Sequence, residues 1–385
     1  MVGNGATVHA LVRGAALAAR GHAVRLVTLG DVLPAPPGLE VRTQPLPASL
    51  PAALRATRGF LRDVRGFRPD LLHVHYAGGR LGTLATLSGV RPMVVTVMGG
   101  DVQPEQHLGG YPRLERRATR RLLRQADLLL AKSDALRREI ARYGDFEART
   151  ETVRWGIDVE GFARDPAAGR ALRARLGLPP DARVVLSPRL LRPLYNVHLV
   201  VEAWPELRAR VPGALLLLAG HRADEAYRAQ LERRVAELGL ADGVRFLGRI
   251  EYADMPALYS ASDAVVSVPF SDGLPQTLFE ALASSTPAVI GRLEAYEEVV
   301  RDGREALFSE LEPGAIAAAL ARLLREPELA GRLTEAGLAR VREVASLERE
   351  AGRVEGFYSQ LLAGPRPRPD PLPLRLLDAA TLLLR

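Results

Sequence analysis

Two acidic residues, Asp272 and Glu280, are the side chains whose type and spacing best fit chemistry in this chain. Between them lies Gly273-Leu274-Pro275, a turn with proline where a helix would begin. N–H groups at a helix start attract phosphate oxygens. Glu280 follows among apolar residues, where a buried carboxylate needs hydroxyl partners such as a ribose diol. The segment therefore suits a nucleotide-sugar, and an ordinary N-cap with a solvated glutamate is the plainer alternative.

The elements that position these residues show as apolar runs of strand length alternating with helical stretches. The runs lie at 24–29, 71–75, 93–97 and 128–131, and then at 184–186, 215–218, 244–247, 264–268 and 288–290. Such alternation is typical of parallel sheets covered by helices, and its restart indicates two Rossmann-like domains. Because ligands of open α/β sheets bind beyond the carboxyl ends of the strands, we expect an α/β protein whose two domains face each other across a cleft.

The sequence predicts five segments. They are an N-terminal domain (1–162), a linker (163–182), a C-terminal domain (183–345), a helix packing back toward the N-terminal domain (346–363) and a Pro-rich tail (364–385). The first helical pattern follows directly on a glycine-rich turn with no strand before it. We therefore expect the first strand of the N-terminal domain to be missing and the natural start to lie upstream.

Composition narrows the class of protein. With 385 residues, 47% hydrophobic and 25% charged, the chain is globular. It has no cysteine, which excludes disulfides, cysteine-ligated zinc and thiol catalysis. Neither a signal peptide nor a stretch of membrane-spanning length is evident. We therefore expect a cytoplasmic location, with the inner face of the membrane as the alternative.

Basic charge is concentrated in the first half. Residues 1–180 carry 27 Lys+Arg against 16 Asp+Glu, while residues 181–385 carry 25 against 29. The arginines that recur at helical spacing are Arg55, Arg58, Arg62, Arg65 and Arg68, and Arg113, Arg116, Arg117, Arg120, Arg121 and Arg124. This pattern favours an anionic membrane surface or a polyanionic acceptor, with a solvated helix face as the alternative. Nucleic acid is disfavoured because no aromatic stacking platform accompanies the arginines.

Several separated motifs, in order, make the chain resemble the retaining family 4, or group 1, glycosyltransferases with the GT-B fold. Asp272 to Glu280 resembles the family's Glu-x7-Glu motif, and Thr286-Pro287-Ala288-Val289 its Gly-x-Pro-Val segment. The other matching segments are Ser187-Pro188-Arg189, Trp155-Gly156-Ile157-Asp158 with Phe162, and Val244 to Gly248. The resemblance implies transfer from a nucleotide-sugar donor to a lipid-linked or polysaccharide acceptor with retention, and no metal or cofactor.

The same resemblance assigns roles to individual residues. Asp272 would hold the donor sugar, Glu280 the ribose hydroxyls and Arg189 the pyrophosphate, whose developing charge preorganised cations stabilise. On the acceptor side, in the N-terminal domain, it implies Asp101, Gly5 and the surroundings of Tyr76 and Gly78. Further donor-binding candidates are Arg192, Asn196, Gly248, Arg249, Ile250, Gly273, Leu274, Pro275, Thr277 and Met98.

Three positions depart from the family pattern. Leu194 and Tyr195 stand where the phosphate-binding lysine is usual, so Arg192 or Asn196 is expected to bind phosphate instead. Met98 replaces a histidine that often contacts the donor sugar, and Glu294-Ala295 replaces a pair of glycines, which implies a different loop there.

Other functions remain open on the sequence alone. A nucleotide-sugar binder without transferase activity would keep the same motifs, and a nucleotide-sugar epimerase would share the fold but needs an acid/base pair that is not evident. His73 and His75 point to one face of a strand, but no third ligand completes a metal site beside them.

Overall fold

The computed structural model describes residues 5–29, 35–44, 49–103, 113–220 and 224–365. The chain divides into two compact units, the first formed by Met1–Gly156 with Leu347–Arg385 and the second by Ile157–Ser346. The predicted Pro-rich tail lies outside the described residues from position 366 onward. No described helix is both long and apolar enough to cross a membrane.

The first unit contains parallel strands and the helices that cover them. Its strands are β1 (Val24–Leu29), β2 (Leu39–Gln44), β3 (Leu72–His75), β4 (Met93–Val97), β5 (Leu128–Ala131) and β6 (Thr150–Thr152). Its helices are α1 (Gly5–Ala19), α2 (Leu50–Phe67), α3 (Gly79–Ser88), α4 (Arg113–Gln125), α5 (Asp134–Ala141) and, from the end of the chain, α14 (Leu347–Ala363).

The strands of the first unit form two separate sheets. β1 pairs with β2, and a second sheet has the order β3-β4-β5-β6; all the pairings are parallel. Within the described part of the chain no strand joins the two sheets. Val95 and Leu129, both fully buried, lie in the core of the larger sheet because its central strands are covered on both faces.

The second unit is one parallel six-stranded sheet with the order β12-β11-β10-β7-β8-β9. Its strands are β7 (Arg183–Ser187), β8 (Ala214–Leu218), β9 (Val244–Phe246), β10 (Ala264–Ser267), β11 (Ala288–Gly291) and β12 (Leu307–Ser309). Its helices are α6 (Pro166–Arg175), α7 (Val197–Arg210), α8 (Glu225–Glu237), α9 (Met255–Ser260), α10 (Gln276–Ala283), α11 (Glu294–Glu297), α12 (Pro313–Arg325) and α13 (Pro327–Val344). Trp204, Leu216 and Val266 are fully buried in its core.

Residues 163–182, which the sequence predicts as a linker, lie inside the second unit. The reason is that α6 buries one face: Gly169 packs on the backbone of α9 at Ser260. Arg173 further donates to the Ala261 carbonyl and forms an ion pair with Asp263. The chain passes between the units at 156–157 and again at 346–347.

Candidate functional site

The site in the second unit begins at the carboxyl ends of two neighbouring strands. β7 pairs with β8 on one side and with β10 on the other, so the strand order reverses between β7 and β10. Arg189 is the second residue after β7, and Asp272 lies in the loop after β10. A topological switch point of this kind is where open α/β sheets bind ligands.

Arg189 and Asp272 meet at that switch point in a buried ion pair. Arg189 Nη2 lies 2.6 Å from Asp272 Oδ2, and Nη1 donates to Thr277 Oγ1 at 3.1 Å. Burial alone would lower the pKa of Arg189, but the Asp272 carboxylate more than offsets this and holds the pKa above its ordinary value. The pair therefore presents a permanently charged guanidinium whose planar donors match phosphate oxygens.

The loop between Asp272 and α10 has a strained backbone. Leu274 is buried and has φ 115°, a region that leucine rarely occupies and that costs about 1–3 kcal/mol. Its N–H donates to Asp272 Oδ1 at 3.3 Å. Pro275 is the N-cap of α10, so it lies just before the first turn in which the sequence predicts it. The strain fixes the turn so that the helix start and the acidic side chain lie together.

Glu280 lies one and a half turns into α10 and is only 3% exposed. Tyr259 on α9 donates its hydroxyl to Glu280 Oε2 at 2.8 Å. Burial raises the pKa of Glu280 to about 7, although hydrogen bonds from Tyr259 and Tyr252 and the charge of Arg189 oppose the shift. An acidic side chain this deeply buried has capacity to accept hydrogen bonds from a ligand's hydroxyl groups.

Four tyrosines that the sequence reasoning missed surround these three residues. Tyr259 and Tyr252 act on Glu280, as described above. The Tyr195 ring lies 4.2 Å from the Arg189 guanidinium, and the Tyr296 hydroxyl donates to Asp272 Oδ2 at 3.2 Å. Tyr195 occupies the place of the family's lysine and Tyr296 directly follows the replaced glycine pair, so the departures from the family pattern were the signal.

The remaining candidates of the second unit lie around this group or beyond it. Arg192 is exposed at the start of a short 3-10 turn, and Asn196 has φ 49° and precedes α7. Gly248 has φ 68°, and the next residue, Arg249, pairs with Glu251 at 2.5 Å, while Ile250 is half-buried. The structure thus brings Arg189, Gly273, Leu274, Pro275 and Thr277 together with the acidic pair, whereas Arg192 makes no described contact with it.

Apart from Gly5, the candidates of the first unit lie in the loops after β3 and β4, at the carboxyl end of its larger sheet. Asp101, fully buried, accepts from the N–H groups of Ala77 (2.6 Å), Met98 (3.0 Å) and Gly99 (2.8 Å). Burial raises the pKa of Asp101, and these hydrogen bonds oppose the rise. Asp101 thereby fixes the loops after β3 and β4 to each other.

The other candidates of the first unit are Tyr76, Gly78 and Met98, which lie in or beside the loops that Asp101 joins, and Gly5, which lies on α1. Tyr76 has φ 87° and donates its hydroxyl to the Gly100 carbonyl at 3.1 Å, and Gly78 precedes α3. The side chain of Met98 is buried. Gly5 is the first residue of α1.

His73 and His75 lie side by side on β3 with ring centroids 4.4 Å apart. His73 is hydrogen-bonded to Thr96 Oγ1 at 2.7 Å and to the Tyr358 hydroxyl. Burial lowers the pKa of both imidazoles well below the ordinary value, so both are neutral at pH 7. Their neighbours belong to a buried network that links α1 and α14 rather than to the Asp101 loops.

The N-terminal and the C-terminal parts of the chain each match a family model of glycosyltransferases. Residues 3–160 match the model described as Glycosyltransferase Family 4, and residues 170–340 match that of Glycosyl transferases group 1.

Two curated relatives carry the same kind of name. D-inositol 3-phosphate glycosyltransferase 2 of Catenulispora acidiphila is 32% identical over 72% of this chain and 69% of its own length. D-inositol 3-phosphate glycosyltransferase of Mycobacterium tuberculosis is 31% identical over 66% of this chain, which spans only 54% of that relative.

Solved structures show the same fold at lower sequence identity. HepE of Anabaena, crystallised with UDP and glucose, has a TM-score of 0.79 and 19% identity over 93% of this chain and 96% of its own. Sucrose-phosphate synthase of Thermosynechococcus elongatus has a TM-score of 0.79 and 22% identity, covering 94% of each chain.

Proposed function

The chain belongs to the family 4, or group 1, glycosyltransferases of GT-B fold, and from this premise we propose that it transfers a sugar from a nucleotide-sugar to an acceptor with retention of anomeric configuration. The observation that carries the proposal is the grouping of Arg189, Asp272 and Glu280 at one switch point. Arg189 and Asp272 are 83 positions apart in sequence and 2.6 Å apart in space.

Each member of the group has a role that fits its environment. Arg189, held by Thr277 and stacked against Tyr195, neutralises the charge that develops on the diphosphate as the anomeric C–O bond breaks. Glu280 accepts from the ribose hydroxyls, and Asp272 accepts from hydroxyls of the donor sugar. The N–H groups at the start of α10 add partial positive charge toward the phosphates.

The proposed reaction balances without a protein nucleophile. The bond between the anomeric carbon and the diphosphate oxygen breaks, and a bond from the acceptor oxygen forms on the same face of the sugar. The acceptor's proton passes to the departing phosphate oxygen. No pair of opposed carboxylates is required, unlike in a glycosidase.

The experiment is a donor screen followed by two matched substitutions. A panel of UDP-, GDP- and ADP-sugars is ranked by thermal shift, and transfer from the best donor is assayed with Glu280→Gln and Glu305→Gln. Glu305 is equally buried in the same unit but bonds the Arg301 N–H, away from the proposed ligand. We expect Glu280→Gln to reduce transfer by about 10-fold or more, as a hydrogen bond to a charged group is lost, and Glu305→Gln to retain it.

Two results would contradict the proposal. One is a protein that binds a nucleotide-sugar tightly but neither hydrolyses nor transfers it, which identifies a binding protein. The other is equal transfer by Glu280→Gln and the unsubstituted protein. Acceptors for the assay include polyprenyl-linked sugars and, because the curated relatives bear that name, D-inositol 3-phosphate.

We also propose a lipid-linked or polysaccharide acceptor at an anionic membrane surface, supported by the arginines of α2 and of its C-cap, Arg68. Arg55, Arg58, Arg62, Arg65 and Arg68 are all exposed, whereas Ala53, Ala56 and Phe60 on the opposite face are buried. A row of arginines is attracted to anionic lipid by about 1 kcal/mol per residue near the surface.

Vesicle co-sedimentation tests this surface. The triple variant Arg55→Glu, Arg58→Glu and Arg62→Glu should lose binding to phosphatidylglycerol vesicles, and added salt should weaken binding of the unsubstituted protein. The matched control reverses three exposed arginines of the second unit, Arg170, Arg233 and Arg325. Equal binding by the two triple variants would contradict the proposal.

A further inference from the structure

Among the described residues, the hydrogen bonds recorded to Asp272 come from three donors, of which one is a cation. Oδ2 accepts from Arg189 Nη2 at 2.6 Å and from the Tyr296 hydroxyl at 3.2 Å. Oδ1 accepts from the Leu274 N–H at 3.3 Å. The side chain is therefore fixed from three directions.

A bound nucleotide-sugar would change the contact between Arg189 and Asp272, which is the strongest of the three. On the proposed function, the diphosphate takes the guanidinium of Arg189, because phosphate oxygens and a carboxylate compete for the same planar donors. The carboxylate of Asp272 then keeps the Tyr296 hydroxyl and the Leu274 N–H. A carboxylate held by fewer donors loses orientation unless those that remain are rigid.

Tyr296 has the rigidity that this role requires. Its side chain is fully buried, and it lies on α11, the short helix formed where the family pattern has glycines. Burial and the charge of Asp272 raise the pKa of the phenol well above its ordinary value, so the hydroxyl stays protonated and donates. A fully buried ring can only point its hydroxyl where the packing directs it, which is at Asp272.

We propose that Tyr296 is a positioning residue that holds the Asp272 carboxylate against the donor sugar once the diphosphate has engaged Arg189. The inference rests on the proposed function and deepens it. Tyr296 should therefore affect the binding of ligands that carry the donor sugar. It should not affect the binding of the nucleoside diphosphate, which lacks that sugar.

The test compares two ligands on two tyrosine-to-phenylalanine variants. The ligands are the nucleotide-sugar that ranks first in the thermal-shift panel and the corresponding nucleoside diphosphate, with dissociation constants measured by calorimetry. Tyr296→Phe should weaken the nucleotide-sugar about 10-fold, as expected for loss of a hydrogen bond to a charged group, and leave the nucleoside diphosphate within about twofold. In the transfer assay KM for the nucleotide-sugar should rise with the dissociation constant, and kcat should also fall because the sugar is less well oriented.

Tyr259→Phe is the matched control, since Tyr259 is equally buried and donates to Glu280. Glu280 is assigned to the ribose, which both ligands contain. Tyr259→Phe should therefore weaken both ligands by a similar factor. The two variants remove the same atom from the same residue type but should produce different ligand selectivity.

A double-mutant cycle distinguishes an effect of Tyr296 through Asp272 from a general loss of packing. If Tyr296 acts through Asp272, Tyr296→Phe should not change the ratio of the two dissociation constants in an Asp272→Asn background. A variant that weakens both ligands equally, or one that discriminates as well as the unsubstituted protein, overturns the role of Tyr296. An unsubstituted protein that binds neither ligand overturns the proposed function and this inference together.

Discussion

At the scale of single residues, the second unit contains an acidic side chain whose pKa lies close to neutral pH. Glu280 is buried on α10, and burial raises its pKa to about 7 against the opposing effect of Tyr259 and Tyr252. Between the ordinary pKa near 4.5 and this value, the folded protein retains a proton that the unfolded chain has lost. The contribution of Glu280 to stability is therefore fully present below pH 4.5 and is lost as the pH rises through about 7.

Replacing Glu280 with glutamine removes this titration and should change the pH dependence of stability. The free energy of unfolding of Glu280→Gln, relative to the unsubstituted protein, should rise by about 2 to 3 kcal/mol between pH 5 and pH 7.5. The reason is that only the unsubstituted protein must bury a negative charge at the higher pH. Urea unfolding at a series of pH values measures this difference.

Glu305→Gln provides the comparison, because Glu305 is also buried. This variant and the unsubstituted protein both keep Glu280, so the titration of Glu280 produces no difference in stability between them. Parallel pH profiles for Glu280→Gln and the unsubstituted protein would show that Glu280 is ionised at its ordinary pKa. In that case Tyr259 and Arg189 would stabilise the charge more than burial opposes it.

The sequence could indicate Asp272, Glu280 and Arg189 because their spacing and neighbours follow a known motif. It could not indicate Tyr259, since a tyrosine in an apolar helix fits core packing equally well, and it marked Tyr296 only by its place after the replaced glycine pair. Their hydroxyls are directed to Glu280 and Asp272 only by the packing of α9 and α11 against α10 and the loop before it. Such contacts depend on tertiary geometry, which the motif does not encode.

At the scale of elements, the close contact between α6 and α9 links the predicted linker to the candidate site. A Cβ added to Gly169 on α6 would lie 2.5 Å from the Ser260 carbonyl oxygen of α9. That oxygen belongs to the backbone, so one helix would have to move. The residue before it is Tyr259, which donates to Glu280.

We expect Gly169→Ala to destabilise the second unit by about 1–3 kcal/mol through overpacking. Urea unfolding measures the change, and calorimetry with the best nucleotide-sugar should also show weaker binding because Tyr259 is displaced. The control is Gly331→Ala on α13, an exposed helical position with nothing within 4 Å of the added Cβ. There alanine should be neutral or stabilising by about 0.5–1 kcal/mol. Equal effects at the two positions would show that α6 is not packed on α9.

The strands that the sequence did not predict lie at sheet edges, although the edge strands β1, β3 and β9 were predicted from their apolar runs. The apolar runs at 93–97, 128–131 and 264–268 correspond to β4, β5 and β10 within one residue. β2, β6 and β12 have no run of this kind, and each lies at the edge of its sheet. An edge strand is partly solvated, so its sequence alternates or is polar, as in the Leu-Glu-Val-Arg-Thr-Gln of β2.

At the scale of the whole molecule, the first unit is built from both ends of the chain. Arg13 on α1 and Glu350 on α14 form an ion pair in which both side chains are almost completely buried. Glu350 also accepts from His9 Nε2 at 2.8 Å and from the Gly156 N–H at 2.7 Å. One carboxylate thus connects the first helix, the last helix and the residue at which the chain leaves the unit.

Removing that carboxylate should destabilise the first unit far more than removing an exposed one. Glu350→Gln leaves Arg13 buried without a counter-charge, and the free energy of unfolding should fall by about 3–5 kcal/mol. Glu355→Gln, one turn further along α14, affects the exposed partners Arg20 and His22 and should cost less than about 1 kcal/mol. Hydrogen exchange of the α1 and α14 amides in urea, read by mass spectrometry, assigns the loss to this unit.

The pH dependence of the same pair distinguishes charge pairing from simple packing. Burial alone would raise the pKa of Glu350, but Arg13 and His9 more than offset it and lower the pKa to about 2. The stabilisation is therefore complete above the ordinary pKa of 4.5 and is lost as the pH falls through about 2, so the difference between Glu350→Gln and the unsubstituted protein should shrink in acid. The double replacement Arg13→Met with Glu350→Leu should recover part of the lost stability, because it leaves no unpaired charge, although His9 and the Gly156 N–H lose their acceptor. A double variant as unstable as Glu350→Gln would mean that α1 and α14 are joined by the shape of the polar network and not by compensation of charge.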